Sequence, residues 1–168
     1  MKVKQIVDED FVNYRKPSMF IITPSCSFKC DKENGTKLCQ NSHLINEPDI
    51  EISASDLVHR FLLNDISEAI VFGGLEPFDS FDDLKEVIEL LRKKSHCDVV
   101  IYTGYNVQEI YNQIWWLRQY DNIIVKFGRY IPNQEPHYDE VLGVKLASDN
   151  QYAVMLEPRV NKFDYLKW

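Results

Sequence analysis

The sequence predicts an α/β protein with a mostly parallel sheet and alternating helices. Three observations carry that reading. Short β-branched or aromatic runs recur along the chain, amphipathic segments of helical period separate them, and those segments open with similar capping signals. The runs are MFIIT (19–23), AIVF (69–72), DVVIYT (98–103) and NIIVKF (122–127). None shows the polar alternation of a half-exposed strand, so each reads as a strand buried on both faces. Among the helical segments, SFDDLKEVIELLRKK (80–94) places Phe81, Leu84, Val87, Ile88 and Leu91 on one stripe. Ser80 is its expected N-cap, with Asp83 three residues on, and Lys93 and Lys94 suit the C-terminal end of the helix dipole. SASDLVHRFLL (53–63) repeats the signature with Ser53 and Asp56, and NVQEIYNQIWWL (106–117) with Asn106 and Glu109. Three such strand–helix units imply right-handed crossovers in one parallel sheet. YAVML (152–156) reads as a last strand, and the segment after it stays unassigned.

Composition narrows the function classes. The 168 residues suit a single domain, 1–168, with 45% hydrophobic content and 12% aromatics. A formal net charge of −7 argues against direct nucleic-acid binding, which needs a basic patch to displace counterions from phosphate. The N-terminal stretch turns acidic at once and lacks the apolar core of a signal peptide. No apolar run approaches the roughly 18 residues of a membrane span. A cytoplasmic protein with reduced thiols is therefore expected.

Three of the four cysteines crowd into CSFKCDKENGTKLCQNSH, 26–43. An odd trio does not make a disulfide framework. Cys26, Cys30 and Cys39 suit a 4Fe-4S cluster held by three thiolates, one iron being left for another ligand. Asn34-Gly35 is a turn signal that lets the loop double back. With His43 the same residues spell C-x3-C-x8-C-x3-H, a set that could close a tetrahedral zinc site in a non-catalytic binding module. Ordinary buried thiols are the third reading. The cluster reading also accounts for the residues at the strand ends: FGGLEP, TGYN and FGRY put glycine at three strand tips, and ligands of parallel α/β sheets gather at those ends. Cys97 reads as a packing residue. His59 and His96 read as structural or exposed, Trp115 and Trp116 as core and rim of one helix. Lys126 fits either a ligand carboxylate or a strand-end charge, and His137 lies in a Pro-rich loop suited to partner contact.

The motifs together resemble the radical S-adenosylmethionine superfamily, and within it the activating proteins of anaerobic ribonucleotide reductases. Cys26 and Cys30 keep the family's first spacing. LCQNSHL (38–44) is similar to its third cysteine with the following Gln/His-Asn. FGGLEPF (72–78) resembles its Gly-Gly-Glu-Pro segment, IYTGYN (101–106) its Thr-Gly-Tyr turn, and ASDNQY (147–152) its late Gly-Ser-x-Asn-Gln segment. The resemblance runs from about Asp10 to Gln151. It implies a partial (β/α) barrel of radical SAM type, a 4Fe-4S cluster on Cys26, Cys30 and Cys39, and S-adenosyl-L-methionine held near Leu38, Gly73, Gly74, Glu76 and Thr103. It further implies reductive cleavage of that cofactor to a 5′-deoxyadenosyl radical, and hydrogen abstraction from a glycine of a partner. The expected partners are a glycyl-radical enzyme, foremost the large subunit of anaerobic ribonucleotide reductase, and a one-electron donor such as a flavodoxin or ferredoxin. Activation of another glycyl-radical enzyme, or radical chemistry on a small molecule, is the alternative.

The sequence departs from the family's pattern at three places. The second cysteine spacer has eight residues rather than two, an extension whose loop-closure cost is only about 1.2 kcal/mol. Leu75 interrupts Gly-Gly-Glu, and Ala147 replaces a glycine.

Overall fold

The computed structural model describes residues 1–159. In chain order, β1 (Lys2–Val3), β2 (Gln5–Asp10) and β3 (Ser18–Ile22) lead into helix α1 (Lys29–Asn34), then β4 (Ile50–Glu51) and α2 (Ala54–Leu62). From there β5 (Ala69–Gly73), α3 (Phe81–Arg92), β6 (Asp98–Tyr102), α4 (Tyr111–Leu117) and β7 (Ile123–Phe127) alternate. The last three strands are β8 (His137–Asp139), β9 (Val144–Leu146) and β10 (Tyr152–Met155) among the described residues.

Six strands form one sheet in the order β10-β7-β6-β5-β3-β2. The inner four are parallel, while β2 and β10 add antiparallel at the two edges. The sheet is open, with no closed barrel among the described residues. Its two faces have different covers. Ile21, Ile70, Phe72, Ile101 and Val125 pack against α2, α3 and α4, with Leu57, Ile88 and Ile114 among the helix contributions. The alternate residues Ala69, Val71, Val100 and Ile124 pack under Tyr14, Leu142 and Leu146. Both faces are covered, which is why the four inner strands read as near-continuous apolar runs. Asp139 ties the second cover down: Oδ1 accepts from Val141 N and Leu142 N, and Oδ2 accepts from Ala153 N on β10 at 2.9 Å.

Local signals act as their chemistry dictates in two of three helices. Ser53 Oγ accepts from Asp56 N at 3.0 Å and starts α2. Asn106 and Glu109 form a reciprocal capping box, which here opens a 3-10 turn, Val107–Ile110, ahead of α4. Ser80 does not cap α3. Residues Pro77–Ser80 form a 3-10 turn running straight into the helix, and Ser80 Oγ instead meets Ser25 Oγ at 3.0 Å. Sequence reasoning missed β2, whose QIVDED lacks strand alternation, and the β8–β9 hairpin, read as an irregular loop. The unassigned C-terminal segment lies mostly outside the described residues. Among those described, no helix is long and apolar enough to cross a membrane.

Candidate metal centre

The cysteine loop leaves the end of β3 and is pinned to the next strand tip almost at once. Glu76 N donates to Ser25 O at 2.9 Å, and Ser27 N donates to Asp79 Oδ2 at 2.6 Å. Phe28 takes a left-handed conformation, φ 51°, its N–H directed at Cys26 Sγ at 3.3 Å. That reversal sends the chain into α1, which carries Cys30. Gly35, at φ 69°, ends the helix, as the Asn34-Gly35 pair predicts. The chain then returns past the helix, and Asp31 Oδ1 accepts from both Leu38 N and Cys39 N at 2.9 Å.

Cys26, Cys30 and Cys39 thereby line one cavity of about 180 Å³, together with the tips of β5, β6 and β7. Gly74, Leu75 and Glu76 contribute from the first tip, Tyr102, Thr103 and Gly104 from the second, and Lys126 and Gly128 from the third. Asn41, Tyr130 and Gln151 complete the lining. Of the sequence-predicted residues, Gly73 and Leu38 are not among the lining. Gly73 is the last residue of β5, wedged between Phe20 and Tyr102, and Leu38 turns its N–H to Asp31. Asn41 and Gln151 belong to segments already singled out in the sequence, but nothing in the chain marked those side chains for the cavity.

Leu75 is absorbed by a tight turn. Its N–H donates to Gly73 O at 2.9 Å around Gly74, which sits at φ 75°. The extra residue therefore leaves Glu76 aimed across the site. Glu76 is 6% exposed; Oε1 accepts from Thr103 Oγ1 at 2.7 Å and Phe78 N at 3.2 Å, and Oε2 accepts from Gly104 N at 2.9 Å. Thr103 Oγ1 in turn accepts from Tyr105 N at 2.9 Å. Ala147 in place of glycine carries no backbone conflict: its φ is not positive, and its N–H donates to Gln151 Oε1 at 3.1 Å.

Electrostatics follow from burial. Burial pushes the Cys26 thiol up to about 12, the Glu76 carboxylate nearby adding to the effect. Cys30 and Cys39 are raised by burial as well. Burial lifts Glu76 to about 7 against the pull of its three donors. Lys126 is 7% exposed, lowered by burial to about 8, and donates to Gly128 O at 2.9 Å. Arg129 braces the rim: its guanidinium grips Glu109 at 2.8 and 2.7 Å and lies 3.1 Å from Glu33 of α1.

The donor set fits a thiolate-bound cluster better than zinc. His43 points elsewhere, its Nδ1 3.1 Å from Gln40 O, and lines a separate depression with Lys4 and Glu47. A mononuclear zinc site needs all its ligands within about 2.3 Å of a single ion. Thiolates on separate irons of a cluster do not have to meet at one point. Cys97, His59 and His96 lie away from the cavity, His96 pairing with Asp121.

A family model described as "4Fe-4S single cluster domain" matches residues 17–151, a span holding all three loop cysteines and every strand tip of the cavity. No curated protein and no solved structure matches this chain.

Proposed function

We propose that this chain, which belongs to the family of 4Fe-4S single cluster domains, is a radical S-adenosylmethionine activase that installs a glycyl radical on a partner enzyme. One observation carries the reading. The three thiols share a single cavity with a glycine turn, a buried carboxylate and a buried ammonium, all presented by the ends of parallel strands. The first part of that set suits a cluster, and the rest suits an amino acid.

Cys26, Cys30 and Cys39 would hold the cluster, which when bound and reduced supplies one electron to break a sulfur–carbon bond of the sulfonium cofactor. The chain's own residues bind and orient. An ionised carboxylate offers about four lone-pair directions; Glu76 uses three of them within the protein, leaving one for an ammonium group. Lys126 has three protons and spends one on Gly128 O, leaving two for a carboxylate. Gly74 brings the backbone close with no Cβ between. Thr103 and the Gly104 N–H fix the Glu76 carboxylate, so its free lone pair faces one direction. The cation and anion of a zwitterion thus have opposite partners within one cavity. No general acid or base is needed for a reaction whose chemistry resides in the cofactors.

Taken jointly, the Thr103-Gly104-Tyr105 tip, FGGLEPF and ASDNQY resemble the activating proteins, and on that resemblance the large subunit of anaerobic ribonucleotide reductase is the favoured partner, with a small-molecule substrate as the alternative. The test is anaerobic reconstitution with iron and sulfide. Expected are about four irons and about four sulfides per chain, a violet-region absorbance bleached by dithionite, a cofactor-dependent change in the electron paramagnetic resonance of the reduced cluster, and release of 5′-deoxyadenosine. Mixing with the reductase subunit should add a glycyl-radical doublet. A cluster whose spectrum ignores S-adenosylmethionine, with no cleavage, would refute the cofactor reading. Cleavage without the doublet would refute only the partner.

A further inference from the structure

The eight residues 31–38 between Cys30 and Cys39 have to return the third thiol to the first two. Helix α1 carries the chain away from Cys30 for about one turn, and Gly35 reverses it. Past that reversal, the described hydrogen bonds that draw the returning strand of the loop to α1 end on one atom. Asp31 Oδ1 accepts Leu38 N–H and Cys39 N–H, each at 2.9 Å. Asn34 Nδ2 closes the helix on Cys30 O at 2.8 Å but does not reach the returning strand. We infer that Asp31 is a positioning residue for the cluster: its carboxylate clasps the Cys39 backbone beside Cys30, and its charge biases the bound cluster toward the oxidised state.

Both parts follow from chemistry at that atom. A carboxylate taking two N–H donors makes charge-assisted hydrogen bonds, stronger than neutral ones. It fixes the two peptide planes on either side of Leu38, the second of which leads into Cys39, and so holds the backbone from which the third thiolate projects. Asp31 also directly follows Cys30 and sits on the backbone of Cys39, so its negative charge adjoins two of the three ligand positions. Reduction adds an electron, and a neighbouring negative charge opposes it, lowering the reduction potential. Moreover, the Cys39 N–H is already spent on Asp31 and is withheld from the cluster sulfurs, where a hydrogen bond would raise the potential. A low potential is what reductive cleavage of a sulfonium demands. The inference rests on Cys39 being a cluster ligand, as proposed above.

Two substitutions separate the clasp from the charge. Asp31→Asn keeps an amide oxygen able to accept both N–H groups and removes the charge. Its reconstituted protein should hold wild-type iron and sulfide while its potential, read by an anaerobic redox titration of the absorbance, moves in the positive direction. Asp31→Ala removes both, and its iron and sulfide content should fall well below that of Asp31→Asn under identical reconstitution. Should Asp31→Ala fail to fold by circular dichroism, Asp31→Ser, which also lacks the carboxylate, takes its place in the iron and sulfide comparison, and the Asp31→Asn potential decides the electrostatic half. An unchanged potential in Asp31→Asn overturns the electrostatic half, and wild-type iron content in a folded Asp31→Ala overturns the clasp. Cys39→Ala, prepared in parallel, distinguishes the two levels. Full cluster content there refutes the ligand reading itself, whereas cluster loss there with wild-type behaviour of both Asp31 variants refutes only the role of Asp31.

Discussion

Replacing Glu76 by Gln tests the buried carboxylate at the centre of the site. Burial holds its pKa at about 7, against the ordinary 4.5, although three protein donors oppose that shift. Between those two values the folded protein binds more protons than the unfolded chain. Stability therefore falls as pH rises from 4.5 to about 7 and levels off above. At about 1.4 kcal/mol per pH unit, the span amounts to about 3 kcal/mol, a large share of a domain's total stability. The group is almost fully buried, so little of this is lost to solvent screening. The assay is urea unfolding of the cluster-free protein, followed by far-UV circular dichroism at about pH 5 and about pH 7.5. Wild type should lose roughly 2–3 kcal/mol across that interval, and Glu76→Gln should lose much less because nothing at position 76 then titrates. The amide NH2 of the variant also confronts the Gly104 N–H, a donor against a donor, so its absolute stability shifts at every pH. The comparison is thus one of slopes. Parallel slopes for the two proteins would refute the buried-carboxylate argument.

Gly74→Ala and Gly35→Ala form a matched pair. Both sites have positive φ, costing an alanine roughly 1–2 kcal/mol, but a Cβ at Gly35 meets nothing within 4 Å, whereas at Gly74 it lies 2.7 Å from Ile22 Cγ2. Overpacking adds roughly 1–3 kcal/mol at Gly74 alone, and thermal melts should show the larger drop there, at about 2–4 °C per kcal/mol. Equal drops would remove the steric argument. Arg129→Lys loses the two-pronged grip on Glu109 and should cost about 1–2 kcal/mol at neutral pH. Arg129 holds the Glu109 carboxyl down at about 2, so that stabilisation is complete above 4.5 and fades as pH falls toward 2. The melting difference between wild type and Arg129→Lys should narrow over the same range; a constant difference would place the effect elsewhere. Ser53→Ala should lower stability by about 1 kcal/mol through the lost α2 cap, measured in the same melts, and an unchanged melt would show the cap to be idle.

Features that depend on neighbours in sequence were legible from it. The four inner strands are largely apolar because both faces are covered, and such runs need no tertiary knowledge to be recognised. The Ser53 cap and the Asn106/Glu109 box are contacts three residues long, written in the spacing itself. The odd trio of cysteines announced a thiolate centre, and the glycines placed its neighbours at the strand ends. Ser80 shows where this reasoning fails. Its spacing to Asp83 is that of a cap, yet a proline-led turn precedes the helix, and the hydroxyl finds Ser25 instead. β2 escaped because an edge strand with acidic residues owes its pairing to β3 rather than to its own pattern.

The sequence alone carried the strand–helix alternation, the crowding of three cysteines into one loop and the glycines at the strand ends, since these follow from residue chemistry and local period. Only the tertiary structure decided that the γ-like turn at Gly74 absorbs Leu75, that His43 turns away, and that Lys126 and Gln151 share a cavity with the thiols. Those outcomes depend on which backbone groups lie opposite one another after strands far apart in the chain have paired. No spacing along a single segment encodes that opposition.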